Sequence, residues 1–547
     1  MTQTLYNSMG KPRFRRAPDG STNSWTYYLD GRPRREYQGN GAYWETTYDD
    51  VNRRVIRVYS SAAGSTLATN STVLDRRGNA MQRVDAAGNS FTNLFDGLDR
   101  IKIAAGPAII STPPTNAPNP GGVGGSTTNQ QVATSFYDSA GLTFTNANAL
   151  GEKTITYFDA LGRMTRSEIR DSANTLVRQS ARAYSADHQS VTVTDGAGST
   201  AVVGTSYTDN DGHSVLSITY PSAGAKEFAL SQYDLVGNPT SVSHASATNG
   251  VQTTWQTANY AYDGLNRMTS QTDRDNALTQ LAYDAAGDLT NRTMPGGVLT
   301  WRATYNNAGQ ILQDYNLGSG NAGARTNGYV YYASNNPFAG LLQSRTDGRG
   351  VICTHVYDDW LRTLTLSYTN TAGGSPSEQS LTTAFGYDAR GMVTNINENF
   401  ASTNTGPATA VSRSYDPNGL LTSENIDVGG IAFSRAGQYW NSGARRAALG
   451  IGDFGYSYGW RADGRLTSAT GSTGGGTYAY DTAGLLLSRT LGPRLTTINQ
   501  RDGAGRPLWV VTTVNGVTNL NETLSYTGDG LLASHIIMRP DFTDARS

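Results

Sequence analysis

Residues 158–165 read FDALGRMT and residues 282–290 read AYDAAGDLT, two versions of one short pattern. An aromatic residue is followed by Asp, two variable residues and Gly, and then by alternating apolar and polar residues. Asp at the first position and Gly at the fourth are typical of a type I turn that ends in a residue with positive φ. The Asp carboxylate accepts backbone N–H groups, and Gly adopts positive φ without a Cβ clash. The pattern therefore predicts a β-hairpin with a bulge.

Seven copies of the pattern keep the aromatic residue, the Asp and the Gly. Their turn residues, which we predict to be structural sites, are Asp138 with Gly141, Asp159 with Gly162, Asp234 with Gly237, Asp284 with Gly287, Asp388 with Gly391, Asp416 with Gly419, and Asp481 with Gly484. Neighbouring copies are 21 or 22 residues apart, as from Tyr137 to Phe158 and from Tyr283 to Tyr305. That period accommodates two strands of about eight residues and two turns.

Four further aromatic-Asp pairs lack the Gly. Three of them place Asn52, Asp99 or Asn266 at that position, and Asn and Asp tolerate positive φ best after Gly. We expect the same turn in these three copies. The fourth has Leu361, which disfavours positive φ, so we expect an altered turn there. With degenerate copies included, the repeats number about twenty between residues 48 and 530.

The composition favours an all-β chain. Charged residues make up 16% of the 547 residues, against about 25% in an average soluble domain. The 62 Gly and 31 Tyr are the turn formers and strand formers that many short strands require. The net charge of −1 disfavours nucleic acid as a partner. The single Cys353 excludes an internal disulfide, and no apolar run is long enough to predict a membrane span.

These motifs resemble the YD repeats of RHS proteins, a family that includes bacterial polymorphic toxins, the shell component of insecticidal toxin complexes and the teneurins. The resemblance rests on FDALGRMT and AYDAAGDLT and, through the other copies, covers nearly the whole chain. It implies hairpins joined into one long sheet that spirals into a hollow shell or barrel. RHS toxins also carry a self-cleaving core with an Asp-Pro element. The nearest local text, Asp416-Pro417, sits in an ordinary repeat turn, so we do not transfer self-cleavage to this chain.

A size estimate makes such a shell physically sensible. About forty strands spaced ~4.8 Å apart give roughly 190 Å of sheet, which forms a barrel about 30 Å across when wound twice. A barrel of that width is too wide for side chains to fill. We therefore expect its lumen to hold water or another molecule.

Composition divides the chain into three parts. We predict N-terminal repeats with a capping segment at 1–105, a Pro/Gly-rich loop or linker at 106–132, and the main body of the YD-repeat shell at 133–547. An insertion at a hairpin tip is the favoured interpretation of 106–132, with a linker between domains as the alternative. Residues 435–452 depart from the repeat pattern, and a short helix is expected there.

The residues offer little support for catalysis or cofactor binding. His188, His213, His244, His355 and His535 do not form metal-binding pairs along the sequence. Residues 450–455 match GxGxxG, but the surrounding pattern is that of strands, with no following helix. Residues 209–212, DNDG, resemble the start of a calcium loop whose closing Glu is missing, which favours a plain turn. We therefore predict no enzyme, catalytic residue, cofactor or metal.

Two functions are consistent with these observations. The leading hypothesis is a non-catalytic shell that encapsulates or displays a polypeptide such as a toxin domain. Its partners would be the enclosed cargo polypeptide or neighbouring chains of the same kind. The alternative is a cell-surface adhesion or carbohydrate-binding module in which the eight Trp and many Tyr stack on glycans, although cross-strand aromatic ladders are the favoured role of these rings. A secreted or cell-surface location is expected, although residues 1–16 do not resemble a signal peptide.

Overall fold

Short strands joined by tight turns account for almost all of the regular structure. The computed structural model describes residues 2–111, 127–198, 201–222, 224–318, 325–370, 381–400, 408–471, 474–527, 531–539 and 542–546. Within them lie 46 strands of one antiparallel sheet and one turn of 3₁₀ helix, Pro295–Gly297. The predicted all-β fold of joined hairpins is confirmed.

The strands are mostly five to nine residues long. The first half of the chain contains β1 Gln3–Tyr6, β2 Pro12–Arg16, β3 Thr22–Tyr27, β4 Pro33–Tyr37, β5 Tyr43–Asp49, β6 Arg54–Ser60, β7 Thr66–Leu74, β8 Ala80–Val84, β9 Ser90–Phe95, β10 Ile101–Ser111, β11 Thr127–Tyr137, β12 Thr143–Asn148, β13 Lys153–Phe158, β14 Met164–Arg170, β15 Leu176–Tyr184, β16 Ser190–Asp195, β17 Val202–Thr208, β18 Ser214–Ser222, β19 Ala225–Tyr233, β20 Pro239–Thr248, β21 Val251–Gln252, β22 Gln256–Tyr262 and β23 Met268–Thr272.

The second half continues the same alternation of strand and turn. It contains β24 Leu278–Tyr283, β25 Leu289–Thr293, β26 Leu299–Tyr305, β27 Ile311–Gly318, β28 Arg325–Tyr331, β29 Leu342–Thr346, β30 Val351–Tyr357, β31 Thr363–Asn370, β32 Leu381–Tyr387, β33 Val393–Phe400, β34 Thr409–Tyr415, β35 Leu421–Val428, β36 Ile431–Trp440, β37 Arg446–Ile451, β38 Phe454–Trp460, β39 Leu466–Gly471, β40 Gly474–Tyr480, β41 Leu486–Leu491, β42 Arg494–Arg501, β43 Pro507–Val514, β44 Val517–Tyr526, β45 Leu532–Arg539 and β46 Phe542–Arg546.

Strands pair antiparallel with the strand that follows them in the chain. In the β13–β14 hairpin, for example, Thr154 lies opposite Ile169 and Thr156 opposite Ser167. The register shifts at the last residue before the turn, between Tyr157 and Phe158, which is where a bulge is expected beside a residue of positive φ. Strand β20 is an exception to simple succession, because it pairs with β19, β21 and β22.

The chain forms two compact units, each built from two separate segments. Unit 1 comprises residues 1–109 and 279–437, and unit 2 comprises residues 110–278 and 438–547. Large side chains are rarely buried in the described residues. Among the residues that the structure describes, Tyr59 is the only large one that is fully buried, and it packs with Ala42 and Ala68. Cross-strand pairing, rather than a deep core, therefore holds the sheet together.

One expectation about the irregular segments can be compared with the structure. The short helix expected at 435–452 is wrong, because β36 and β37 occupy this stretch and Asn441 to Ala444 form a turn between them. The Asn441 side chain accepts the N–H groups of Gly443 and Arg445, as Asp does in other repeats. Residues 112–126 of the expected loop lie outside the described residues, between β10 and β11. The three-part division of the chain stays a prediction.

Candidate functional site: the repeat turn and the contacts between turns

The Asp-x-x-Gly turn has one geometry in nearly all the complete copies. The Gly N–H donates to the Asp carbonyl oxygen at 2.9 to 3.3 Å in all seven. In six of them the Asp N–H donates to the carbonyl four residues later, whereas Asp138 donates to Thr143. The seven glycines have φ between 71° and 99°. They are Gly141, Gly162, Gly237, Gly287, Gly391, Gly419 and Gly484. This is a type I turn closed by a residue in the left-handed region.

The Asp side chain holds this turn from within. In the turn at 159–162, Asp159 Oδ1 accepts the N–H groups of Leu161 and Arg163 at 3.0 and 2.9 Å. Asp234, Asp284 and Asp388 make the same pair of contacts. Hydrogen bonds to the ionised form stabilise it, so the backbone N–H of Arg163 lowers the pKa of Asp159.

Of the four copies without Gly, two agree with expectation, because Asp99 and Asn266 both adopt positive φ of 62°. The other two differ. The residue with positive φ in the turn after β5 is Arg53 rather than Asn52, since β5 extends through Asp49 and shifts the turn by one residue. The altered turn expected at Leu361 is wrong: Leu361 has φ of 61°, and its N–H donates to the Asp358 carbonyl oxygen at 2.9 Å.

The residue after the fourth turn position, which is Gly in the complete copies, completes the turn, a role that the sequence pattern alone did not reveal. In five copies this residue is Arg, and its guanidinium lies 2.6 to 2.8 Å from the second carboxylate oxygen of the turn Asp. The pairs are Asp96–Arg100, Asp159–Arg163, Asp263–Arg267, Asp358–Arg362 and Asp502–Arg506. Asn238 does the same for Asp234 at 2.9 Å. Both carboxylate oxygens are thus satisfied, which explains the Arg of FDALGRMT.

The tyrosine that ends a strand links its repeat to the preceding one. Its hydroxyl donates to the carbonyl of the first residue of the strand that follows the previous turn. The Tyr387 hydroxyl reaches the Thr363 oxygen at 2.6 Å, and the Tyr415 hydroxyl reaches the Val393 oxygen at 2.8 Å. The same bond is made by Tyr27, Tyr184, Tyr233, Tyr305, Tyr331 and Tyr357. Burial raises the pKa of Tyr387, so the hydroxyl stays a donor at neutral pH.

The arginine of one turn also covers the tyrosine of the next. The Arg163 guanidinium lies 4.3 Å from the ring centre of Tyr184, and the Arg506 guanidinium lies 4.8 Å from that of Tyr526. Such a stacked cation contributes about 0.5–1 kcal/mol at an exposed site. Asp, Arg and the following Tyr therefore form one connected unit that recurs along the sheet edge.

Within unit 1, turns that lie about 300 residues apart in the chain pack against each other. The Tyr59 hydroxyl donates to the Asp359 carbonyl oxygen at 2.6 Å, and the Asn40 amide donates to the same oxygen at 2.9 Å. The Trp360 ring lies 4.2 Å from the Tyr59 ring and 5.9 Å from the Trp44 ring. Burial, with a smaller effect of Asp359, raises the pKa of Tyr59 to about 12. We call Trp44, Tyr59 and Trp360 the aromatic clamp.

In unit 2, residues far apart in the chain also meet at turns, but here the contacts are polar. Arg445 forms a bidentate ion pair with Glu152 at 2.8 and 2.7 Å. The Ala197 N–H donates to Thr482 Oγ1 at 2.9 Å. Arg506 lies 2.5 Å from Glu227. In each pair a residue of the 110–278 segment contacts a residue at a turn of the 438–547 segment.

The remaining sequence motifs and histidines discussed above lie in turns, in a hairpin or across paired strands. Asp209, Asp211 and His213 could present ligand atoms within 4.8 Å of one another. However, His213 occupies the position that Arg takes in other repeats, with Nδ1 3.0 Å from Asp209 Oδ2 and its ring stacked on Tyr233. The GxGxxG stretch is the β37–β38 hairpin, in which Gly450 pairs with Gly455. His535 pairs with Glu522 across β44 and β45 at 2.8 Å.

The described part of the chain has no helix of the length and apolarity needed to cross a bilayer. An RHS Repeat family model matches residues 262–299, which run from the end of β22 into β26. Residues 262–299 therefore match an RHS repeat.

Two solved structures share the fold of this chain. The crystal structure of TcdB2-TccC3 is 12% identical with a TM-score of 0.64, and the match covers 99% of this chain and 33% of that one. The Tc holotoxin pore of Photorhabdus luminescens, with a mutated TccC3, is 10% identical with a TM-score of 0.58 over 100% of this chain and 35% of that one. The chain thus spans about a third of each of these structures, and the likeness at this identity is one of fold. No curated protein matches the chain.

Proposed function

We propose that this chain is a wall of a shell that encloses or displays a polypeptide, such as a toxin domain, without catalysis of its own. The observation that carries the proposal is that, within each unit, turns contact residues 279 to 319 positions away in the chain. A chain that meets itself after so many laterally paired strands can surround a space. The fold shared with TcdB2-TccC3 supports this function.

The contacts made by the polar side chains of the described residues also favour a structural role. Asp, Arg and Tyr, which serve as catalysts in many enzymes, are here engaged in turn closure and repeat linkage. The pKa of most turn aspartates with a resolved shift is lowered by bonds within the turn, as for Asp263 beside Arg267. A general acid or base needs a pKa near the operating pH instead.

The partners in this proposal are an enclosed cargo polypeptide or neighbouring chains of the same kind. We place the assembly outside the cell or at the cell surface, as expected for a carrier of toxin-like cargo. The fold of the Tc holotoxin structure supports that location as a proposal.

A protease-protection experiment tests enclosure. An unstructured, protease-sensitive reporter peptide is fused after Ser547, and its digestion is compared with that of the free peptide. Enclosure predicts strong protection in the native protein and loss of protection in Trp360→Ala, which removes the centre of the aromatic clamp. Trp509→Ala is the matched control, because Trp509 is exposed on β43 outside the clamp. Digestion of the native fusion at the rate of the free peptide contradicts enclosure.

A second function, carbohydrate binding, has one supporting observation. A pocket of about 390 Å³ in unit 2 is lined by Trp440, Tyr458 and Trp460, with Arg446 beside them. Arg446 Nε is buried and lacks a hydrogen-bond partner among the described residues. Aromatic rings with a guanidinium donor suit a sugar. Glycan-array binding that disappears in Trp460→Ala would favour this function, and an array without binding would exclude it for the glycans displayed.

A further inference from the structure

Unit 2 has two outer edges that differ in the shape of their turns. Because successive strands are antiparallel, successive turns lie at opposite edges of the sheet. The Leu150 and Ala197 turns of the 110–278 segment pack on the Gly443 and Thr482 turns of the 438–547 segment. The turns at the opposite edge of each segment therefore face away from this contact.

The outer edge of the 110–278 segment carries large apolar residues at its turn tips. We call the turns at 159–162, 234–237 and 263–266 the leucine rim. Leu235 is fully exposed, and Leu161, Val236 and Leu265 are 68%, 69% and 70% exposed. The Asn238 amide donates to Asn266 Oδ1 at 3.1 Å, so the last two of these turns adjoin and their apolar tips form one patch.

The covered turns of the 438–547 segment have small tips instead. The third residue of the covered turns is Gly443, Ala483 or Ala504 in three cases, and Ala483 is buried at 7% exposure. An exposed row of leucines is therefore not a requirement of the turn itself. Contiguous exposed apolar patches on a soluble protein mark interaction surfaces.

The outer edge of the 438–547 segment is complementary in shape. We call the two-residue turns Gly492-Pro493 and Asn515-Gly516 the flat rim. The Asn515 N–H donates to the Pro493 carbonyl oxygen at 3.0 Å, so these turns adjoin. Their side chains are short, and exposed Leu491 and Val517 flank them. A leucine at a turn tip can thus lie over one of these turns, whose side chains are short, and contact the apolar side chains that flank it.

We propose that the leucine rim of one chain docks on the flat rim of a second copy. The contact continues the packing inside unit 2, where the Leu150 side chain lies so close to Gly443 that a Cβ there would be 2.8 Å from Leu150 Cδ1. The proposed contact also keeps the order of the segments, because an edge of a 110–278 segment again packs on an edge of a 438–547 segment, as it does within the chain. The net charge of −1 opposes such stacking only weakly.

The two rims are different surfaces, so the association is head-to-tail and does not close on itself. It predicts short stacks that lengthen with concentration. The inference depends on the rims alone and holds whether or not the chain encloses cargo.

Sedimentation velocity over a range of concentrations tests the proposal. The wild-type chain is expected to self-associate, and Leu235→Asp with Val236→Asp is expected to weaken association by at least about tenfold, because two apolar side chains that docking would bury become charged. Asn210→Asp is the control, because it adds a charge at a turn tip of the same edge without removing an apolar group. A wild-type chain that stays monomeric, or association that survives the double substitution, overturns the proposal.

Disulfide trapping distinguishes rim-to-rim docking from other dimers. In a Cys353→Ser background, chains with Leu235→Cys are mixed with chains with Asn515→Cys and oxidised. Docking predicts cross-linked heterodimers in the mixture and few cross-links in either variant alone. Equal cross-linking of Leu235→Cys with itself shows that leucine rims meet each other and contradicts the proposal.

Discussion

The Arg362 guanidinium lies 4.1 Å from the ring centre of Tyr387 while its Nη2 lies 2.6 Å from Asp358 Oδ2. One side chain thereby closes its own turn and supports the tyrosine of the next repeat. Tyr387 in turn donates to the Thr363 carbonyl, directly after Arg362 in the chain. The turn at 358–362 is therefore tied to the following repeat through both its side chain and its backbone.

Removal of this arginine is expected to loosen two turns at once. Arg362→Gln should increase hydrogen exchange in residues 358–362 and at the end of β32 by about tenfold, because an ion pair and a cation–π contact are lost together. Mass spectrometry of exchanging peptides measures the change. Arg349→Gln is the control, since Arg349 is 62% exposed and an exposed ion pair contributes at most about 1 kcal/mol. Equal effects in the two variants would contradict the linkage.

The tyrosine hydroxyls are expected to contribute individually. Tyr415→Phe leaves the Val393 carbonyl oxygen without its hydroxyl donor, at a cost of about 1 kcal/mol. Faster exchange should appear in β33 and β34. Tyr6→Phe is the comparison, because Tyr6 is exposed and its substitution should change nothing. If Tyr415→Phe exchanges like the wild type, the hydroxyl bond does not hold adjacent repeats together.

Positive φ, rather than lack of space, should explain the turn glycines. Gly162 has φ of 76°, and a Cβ there would meet nothing within 4 Å. Gly162→Ala is therefore expected to lower stability by about 1 kcal/mol through backbone strain alone. Gly264 also has open space but is not among the residues with positive φ. Gly264→Ala should be neutral or slightly stabilising in thermal unfolding, and equal losses in both variants would contradict the explanation.

Two buried aspartates should respond oppositely to pH. Burial alone would raise the pKa of Asp463, but Arg461 and Arg465, each 2.6 Å away, lower it to about 2. Its contribution to stability is therefore present above pH ~4 and lost as pH falls towards 2. Burial raises the pKa of Asp416, so the charged form is disfavoured by folding and stability is lost as pH rises through that pKa.

Asparagine substitutions separate these cases at pH 7. Asp463→Asn should lower the free energy of unfolding by about 3 kcal/mol, because two arginines lose a buried partner. Asp416→Asn should be neutral or stabilising, since Asn retains the oxygen that accepts the Leu420 N–H, and any gain should vanish at low pH. Denaturant unfolding at pH 7 and pH 3 measures both. Destabilisation by Asp416→Asn at pH 7 would contradict the assignment.

The sequence predicted the parts of this structure that depend on neighbouring residues. Asp159 and Gly162 lie within one turn, and their spacing indicates its backbone conformation. Leu361 was predicted wrongly because its turn is also held by Asp358, which accepts the Trp360 and Arg362 N–H groups at 2.9 Å, and by the packing of Trp360. These contacts compensate a strained φ that Leu would otherwise avoid.

The contacts between distant turns could not be predicted in the same way. Tyr59 and Asp359 are 300 residues apart, and no local pattern relates them. The helix expected at 435–452 failed for a related reason. Asn441 and Ala444 replace Asp and Gly in that turn, so the pattern vanished although the backbone conformation was kept.

Electron cryo-microscopy of the purified protein is the decisive experiment for enclosure. An enclosing shell predicts projection images in which a continuous wall surrounds a central lumen, for single particles as well as for stacks. A solid particle without a lumen, or an open strip of sheet with two free ends, would contradict it.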